Sequence, residues 1–229
     1  MPDLLEPTAY RRWYETPLGK HVDADEKAIV FALAQLEGGD RVLDIGCGDG
    51  NYTAAAVERT GIAVGLDRSR AMLAASKQRL SGVAGLIWVE GDAEKLPFRD
   101  ASFEVVLIVT VLCFASHPGS VLREAFRVLR SGGRVVLGEL GRYSLWALER
   151  RVRGLLGSKT WRAARSFSPS DLLRLVSEAG FTKLNSDAAV FYPPLDLAAR
   201  SKVAAVLERA GRRWCPRAGA FLAVAGVRP

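Results

Sequence analysis

Histidine is nearly missing from this chain: His21 and His117 are the only two in 229 residues. A metal centre or proton relay built from several histidines is therefore excluded. Cysteine is scarce as well. Cys47, Cys113 and Cys215 are odd in number and far apart, which argues against a disulfide framework and against a CxxC-type zinc site, and leads us to expect a reducing, cytoplasmic setting. No apolar run approaches the ~18 residues of a membrane span. The opening Met1-Pro2-Asp3 lacks the basic, apolar and small-residue succession of a secretory signal. There is no internal repeat and no low-complexity linker.

The length suits one domain with a sizeable core. The net charge is +7, and it is uneven. Residues 142–165 hold Arg142, Arg150, Arg151, Arg153, Lys159, Arg162 and Arg165 against one acid, Glu149. A second cluster (Arg200, Lys202, Arg209, Arg212, Arg213 and Arg217) meets only Glu208. Solvated helix faces account for both. A surface for an acidic substrate, an anionic lipid or RNA is the alternative.

Apolar periodicity predicts helices over 4–14 and 23–36, separated by a break at Thr16-Pro17-Leu18-Gly19. Strands and helices then alternate. Strands are expected at 41–45, 62–66, 86–89, 103–110 and 134–139, the fourth apolar throughout, as a strand covered on both faces should be. Ser69 caps one intervening helix, Pro118 starts another, and Ser131-Gly132-Gly133 is expected to end that second one. The βαβα order implies a parallel sheet with right-handed crossovers. Beyond it, Leu145, Leu148, Val152, Leu155 and Leu156 describe an amphipathic helix with a basic opposite face. Ser168-Pro169-Ser170-Asp171 is a capping box. Strands at 182–192 and 220–227 flank a helix at 195–209.

The most informative stretch is Val42-Leu43-Asp44-Ile45-Gly46-Cys47-Gly48-Asp49-Gly50-Asn51: a short strand, a glycine turn, then an Ala-rich helix. Such a unit aims backbone N–H groups and a helix dipole at a ligand. In a dinucleotide fingerprint, G-x-G-x-x-G, the third glycine would fall on Asn51. It is absent, and an acid, Asp44, leads the turn. An acid there disfavours a pyrophosphate and favours a ligand carrying positive charge, such as the sulfonium and ammonium of S-adenosylmethionine. Asp67 ends the second strand about 20 residues on, where a carboxylate can take both ribose hydroxyls. Gly91-Asp92-Ala93 follows the third strand, where a carboxylate and the next N–H can meet an adenine. The bland alternatives are a helix N-cap for Asp67 and a loop aspartate for Asp92.

These stretches, with Gly65-Leu66-Asp67-Arg68-Ser69, Gly91-Asp92-Ala93-Glu94-Lys95-Leu96-Pro97-Phe98 and Leu122-Arg123-Glu124-Ala125-Phe126-Arg127-Val128-Leu129-Arg130-Ser131-Gly132-Gly133, resemble in order and spacing the class I S-adenosylmethionine-dependent methyltransferases. The nearest subgroup is the small-molecule, quinone- and lipid-type one. The resemblance covers about residues 40–140 and continues more weakly to 229. It implies an α/β Rossmann-like fold, a doubly wound seven-stranded sheet in the order 3-2-1-4-5-7-6 with the last strand antiparallel. It also implies one domain: an N-terminal helical cover (1–39), a cofactor-binding core (40–140), a helical insertion (141–168) and the C-terminal part of the sheet (169–229).

By position, the resemblance implies that Asp44, Gly46, Cys47 and Gly48 line the methionine end of the cofactor. Asp67 and Arg68 lie at the ribose, Asp92 and Ala93 at the adenine, and Thr110 approaches the methionine portion through its backbone. The N-terminal helix departs from relatives, with Arg11 after Tyr10, and offers Tyr14 as a contact. Methyl transfer is an in-line displacement in which the protein supplies alignment and electrostatics. No metal is needed. His117 is the weak candidate for a base. Cys47, Cys113 and Cys215 read as buried packing residues, and Tyr192-Pro193-Pro194 as a turn. The expected acceptor is a small apolar or aromatic molecule, under a cover that draws on Trp13, Tyr14, Phe114, Tyr143, Trp146 and Trp161. The alternatives are an RNA-modifying enzyme using the basic C-terminal half, a non-catalytic S-adenosylmethionine-binding protein, and peripheral membrane contact through 145–165. Nothing in the sequence sets the oligomeric state.

Overall fold

The computed structural model describes residues 7–195 and 202–229. Its centre is a sheet of seven strands in the order β3-β2-β1-β4-β5-β7-β6. The strands are β1 (Val42–Ile45), β2 (Ala63–Asp67), β3 (Leu86–Glu90), β4 (Phe103–Val109), β5 (Leu129–Leu140), β6 (Thr182–Ala189) and β7 (Phe221–Val227). Pairing is parallel from β3 to β5, and β7 runs antiparallel to both β5 and β6. This is the expected seven-stranded topology. The order reverses between β1 and β4, so a crevice opens beyond their carboxyl ends.

Burial on both faces dictates which residues make the central strands. β4 is buried along its whole length. Leu43, Ile45, Val106 and Ile108 face a cluster with Leu122 and Val128 of α5 (Pro118–Val128) and Leu172 and Val176 of α8 (Pro169–Glu178). Val42, Val105 and Leu107 face the opposite cluster, with Ile29 and Val30 of α2 (Pro17–Ala34) and Ala56 of α3 (Asn51–Thr60). Each fully covered aliphatic side chain contributes about 1.5–3 kcal/mol relative to exposure.

Several boundaries differ from the sequence expectation. α1 (Pro7–Glu15) is followed at once by α2, without the break expected at 16–19. Thr16 accepts the Gly19 N–H at 2.9 Å and Pro17 takes the first helical position, where its missing N–H costs nothing. α4 (Arg70–Arg79) starts after its Ser69 N-cap, as expected. α5 stops at Val128 rather than at Gly132: Leu129 turns extended and already pairs with Phe103 of β4. The helix expected at 195–209 lies partly outside the described residues. Its described part, α9, is Lys202–Trp214 and so ends later.

Residues 142–168 form an insertion pinched at its base. Phe167 donates to Leu140 O at 2.9 Å and accepts from Arg142 N at 2.9 Å, while Arg142 also pairs with Asp171 at 3.0 Å. Inside it lie α6 (Leu145–Leu155) and the short α7 (Lys159–Ala163). For α6 the sequence predicts a leucine stripe with a basic opposite face, without saying which side the protein covers. The structure shows which side is covered. Trp146, Ala147 and Gly154 face the protein, and Leu145, Leu148, Val152, Leu155 and Leu156 are exposed. The Trp146 indole fixes this orientation by donating to Tyr192 O at 2.8 Å. Among the described residues no helix is long and apolar enough to cross a membrane.

Candidate cofactor and acceptor site

The glycine turn leaves β1 and is held from behind by its neighbour strand. Gly46 N and Cys47 N both donate to Leu66 O, at 2.7 and 3.0 Å, and Gly50 N closes on Cys47 O at 2.9 Å. Gly46, Gly48 and Gly50 all have positive φ, of 69°, 55° and 79°. Their reasons for lacking a side chain differ. A Cβ on Gly46 would stand 2.4 Å from Val111 Cγ2, and one on Gly50 would stand 2.5 Å from the Trp88 ring. A Cβ on Gly48 would meet nothing within 4 Å. The first and third glycines admit neighbours of the fold; the middle one faces open space. Gly50 also leaves the first turn of α3 without a side-chain cap, so its N–H groups are available to a ligand.

Asp67 bridges this turn and the next loop. One carboxylate oxygen accepts Gly48 N at 2.9 Å and the other accepts Ser69 N at 2.8 Å. A carboxylate has about four acceptor positions, so capacity remains for two hydroxyls. Arg68 is exposed beside it. From α4, Ser76 donates to Gly48 O at 2.9 Å and Arg79 to Asp49 O at 2.6 Å. Asp44 lies behind the turn, buried, with Thr53 donating to it at 2.6 Å; burial pushes its carboxyl up to about 7. Cys47 is buried too, its sulfur turned toward Gly65, and burial raises its thiol well beyond the reactive range.

The loop after β3 brings Asp92 and Ala93 to the same end of the sheet. Asp92 accepts Glu94 N at 2.9 Å in a tight local turn and is exposed. That loop is fixed from α5. Glu124 accepts Leu96 N at 2.7 Å, and Arg127 reaches Phe98 O, Leu96 O, Asp100 and Glu124. Glu124 and Arg127 were missed as site supports, although their i,i+3 spacing in Leu122–Leu129 was visible.

After β4, Thr110 takes φ +53° with its N–H on Gly138 O at 2.7 Å. A β-branched residue in the left-handed region is strained, and such strain concentrates at working sites. The next three N–H groups converge on one carboxylate. Glu139, fully buried at the end of β5, accepts Val111 N at 3.0 Å, Leu112 N at 2.7 Å and Cys113 N at 3.3 Å. Burial nevertheless pushes Glu139 up to about 7. The sequence signal for it existed: like Asp44, Asp67 and Asp92, it is an acid at the carboxyl end of a strand.

Above this loop stand α2 and the insertion. Arg165 N donates to Cys113 O at 2.9 Å. Glu26 of α2 is buried, and that burial lifts its carboxyl to about 8 against the field of Arg150. Arg150 of α6 stacks on Trp161 at 5.6 Å, and its Nη1 is buried without a hydrogen-bond partner among the described residues. A guanidinium donor left unmatched in this way is suited to an incoming acceptor atom.

The remaining expected residues divide. Tyr14 sits one turn after Arg11, whose guanidinium is 3.7 Å from Asp49 in the glycine turn, so α1 does lie beside that turn. Asn51 is tied to α2 through Asp23 at 2.6 Å and Lys27 at 2.8 Å. His117 is the N-cap of α5, largely exposed, with its backbone N–H and ring Nδ1 both on Glu94 at 2.9 Å. Trp146 is a core residue and Tyr143 is exposed, so neither lines a pocket, whereas Trp13, Phe114 and Trp161 are partly buried. Cys113 is buried as expected; Cys215 is exposed, contrary to expectation, in the turn before a 3₁₀ segment. Tyr192 is buried and donates to Asp25 at 3.0 Å, joining α2 to the end of the sheet.

Comparison with known proteins agrees with this geometry. A family profile described as a methyltransferase domain matches residues 43–137. An uncharacterised protein of Mycobacterium tuberculosis is 31% identical over 189 residues, covering 82% of this chain and 63% of its own length. The ubiquinone/menaquinone biosynthesis C-methyltransferase of Ectopseudomonas mendocina is 36% identical over 148 residues, 62% of this chain and 53% of that protein. The chain thus spans less than two thirds of these curated relatives. Among solved structures, a Thermotoga maritima protein described as an S-adenosylmethionine-dependent methyltransferase superposes with TM-score 0.75 at 26% identity, covering 97% of this chain and 95% of that one. A phosphoethanolamine N-methyltransferase of Haemonchus contortus, in complex with S-adenosylhomocysteine, shares the fold at TM-score 0.71 and 17% identity, over 100% of this chain and 59% of that one.

Proposed function

This chain carries a class I S-adenosylmethionine-dependent methyltransferase domain, and on that premise we propose that it methylates a small apolar or aromatic acceptor. The observation that supports this reading best is the open space over Gly48, bordered by Asp67, with Asp92 and Thr110 following β3 and β4 at the same carboxyl end of the sheet. In this reading Gly46, Cys47 and Gly48 border the methionine portion with backbone atoms. Asp44 sets the charge behind them, Asp67 with Arg68 meets the ribose, Asp92 and Ala93 meet the adenine, and Tyr14 closes the site from α1.

The sulfonium supplies an electrophilic methyl group when the cofactor is bound. The chain's own residues have three tasks. The turn and Thr110 fix the direction in which the methyl group points, because alignment of the attacking atom is worth several kcal/mol. Buried Asp44 and Glu139 place negative potential near a cationic ligand while keeping water out. The N-terminal helices, the post-β4 loop and the insertion enclose the acceptor, with Trp13, Phe114 and Trp161 as apolar wall and Arg150 Nη1 as an unmatched donor. The quinone-pathway name of one relative supports an acceptor of this kind, and we extend the domain boundaries at residues 39, 140 and 168 to the same reading.

Calorimetry with S-adenosylmethionine and S-adenosylhomocysteine tests the cofactor; no heat from either at millimolar concentration would remove the proposal. A labelled-methyl screen of a cell extract, split into small-molecule, lipid, RNA and protein fractions, tests the acceptor. Label in the RNA fraction would transfer the assignment to the basic C-terminal half. Binding without transfer to any fraction would leave a sensor.

A further inference from the structure

The outward turn of α6 leaves a feature that the methyl-transfer reading does not use. Leu145, Leu148, Val152, Leu155 and Leu156 recur at helical spacing on one stripe, and all are exposed, Leu155 at 85% and Leu156 at 82%. The opposite face is occupied: Trp146, Ala147 and Gly154 are buried against the body, so the helix cannot roll the stripe inward without breaking the Trp146–Tyr192 hydrogen bond. A contiguous aliphatic stripe of this kind on a soluble surface marks an interaction site. Around it, Arg151, Arg153, Lys159, Arg162 and Arg165 are all exposed, and the segment's single acid, Glu149, is already paired with Arg153.

The charge pattern selects the occupant. Two copies meeting through this face would bring two strongly basic segments together, and like charges oppose that contact. RNA would match the arginines and leave the leucines in water. An anionic bilayer surface satisfies both: its acyl boundary takes the leucines, and its headgroups take the guanidinium and ammonium groups, whose aliphatic stems can snorkel. We infer that the outer face of α6 docks this protein on an anionic phospholipid surface. The inference is independent of the methyl-transfer reading, since it uses neither the glycine turn nor the acceptor side of the insertion.

Co-sedimentation of the full chain with vesicles of phosphatidylcholine alone, or with 30% phosphatidylglycerol, tests it. We expect binding to the anionic vesicles at least tenfold tighter than to the neutral ones, and reduced at least tenfold by 0.5 M NaCl. Leu155→Glu with Leu156→Glu, and separately Arg151→Glu with Arg162→Glu, should each lower vesicle binding at least tenfold while leaving thermal stability and S-adenosylhomocysteine calorimetry unchanged. Wild type remaining in the supernatant with anionic vesicles would overturn the inference. So would leucine variants that bind like wild type, or a dimer in sedimentation velocity that those variants dissolve. Loss of S-adenosylhomocysteine binding by the wild type would count against the methyl-transfer reading and leave lipid docking standing.

Discussion

The middle glycine of the turn offers a test in which fold and ligand separate. Replacing Gly48 by alanine asks a residue with φ +55° to carry a Cβ, at a cost of about 1–2 kcal/mol for a left-handed L-residue. The new methyl group meets no protein atom within 4 Å, so there is no packing penalty. At roughly 2–4 °C per kcal/mol for a chain of this size, the melting temperature should fall by about 2–8 °C. Gly46→Ala is the contrasting case. Its φ of +69° imposes a similar backbone cost, and its Cβ would collide with Val111 at 2.4 Å. Overpacking adds about 1–3 kcal/mol, so it should destabilise by about 2–5 kcal/mol. Binding should not follow stability. The Gly48→Ala methyl group occupies the volume assigned to the cofactor, and a displacement that costs even ~1.4 kcal/mol weakens affinity tenfold. Calorimetry with S-adenosylhomocysteine, beside thermal unfolding of the free protein, gives both quantities. A folded Gly48→Ala that binds within twofold of wild type would refute the assignment of that space.

Three further outcomes are expected. Asp67→Ala removes two bonds to backbone N–H groups as well as the proposed ribose contact, so it should weaken cofactor binding by about 1–3 kcal/mol and also lower stability, with Asp67→Asn intermediate; unchanged affinity in the alanine variant would reject the ribose assignment. Burial raises Glu26 to about 8 and Asp44 and Glu139 to about 7, so the folded chain holds protons that the unfolded chain has already released. Their favourable contribution is complete only below the ordinary carboxyl values of 3.8 and 4.5 and is lost progressively from there up to about 7 to 8, each group adding a slope of up to about 1.4 kcal/mol per pH unit. The melting temperature of the free protein should therefore fall from pH 5 to pH 8, and a flat or rising profile would contradict this account. Finally, a cationic ligand beside Asp44 favours its ionised form, so binding of S-adenosylmethionine near pH 7 should release protons. Equal binding enthalpies in phosphate and Tris buffers would exclude that.

The sheet was legible because its signals are local. Val42–Ile45 and Phe103–Val109 are largely apolar runs of strand length, and the first is followed by glycines that turn the chain. Asp67 and Asp92 were legible because spacing alone puts them at strand ends. Glu26 and Arg150 were not, since their setting depends on elements far apart along the chain meeting in space, whereas Glu139 carried the same strand-end signal and went unread. The stripe on α6 was legible as a stripe, but not the side of the helix that the protein covers. Periodicity tells which residues share a face; it does not tell which face the protein covers, and here Trp146 and its bond to Tyr192 decide the matter. Thr110 was placed by its position after β4, but its left-handed backbone leaves no trace in residue type.

Glu139 holds the loop after β4 through three main-chain N–H groups, with the Cys113 thiol also bonded to it. Much of that loop's path is therefore set independently of which side chains it carries. Val111 is constrained by Gly46, Leu112 and Cys113 lie in the core, and Phe114 and Ala115 pack against its edge, so exchanges at 114–116 that keep the apolar volume of the first two leave the loop where it is. A protein arranged in this way can alter what it admits to the acceptor side by substitutions that cost little in stability, because the anchor and the selective surface are carried by different atoms. Exchanging residues 114–116 between relatives should then transfer acceptor preference more readily than it disturbs folding, provided the carboxylate beneath them is left in place.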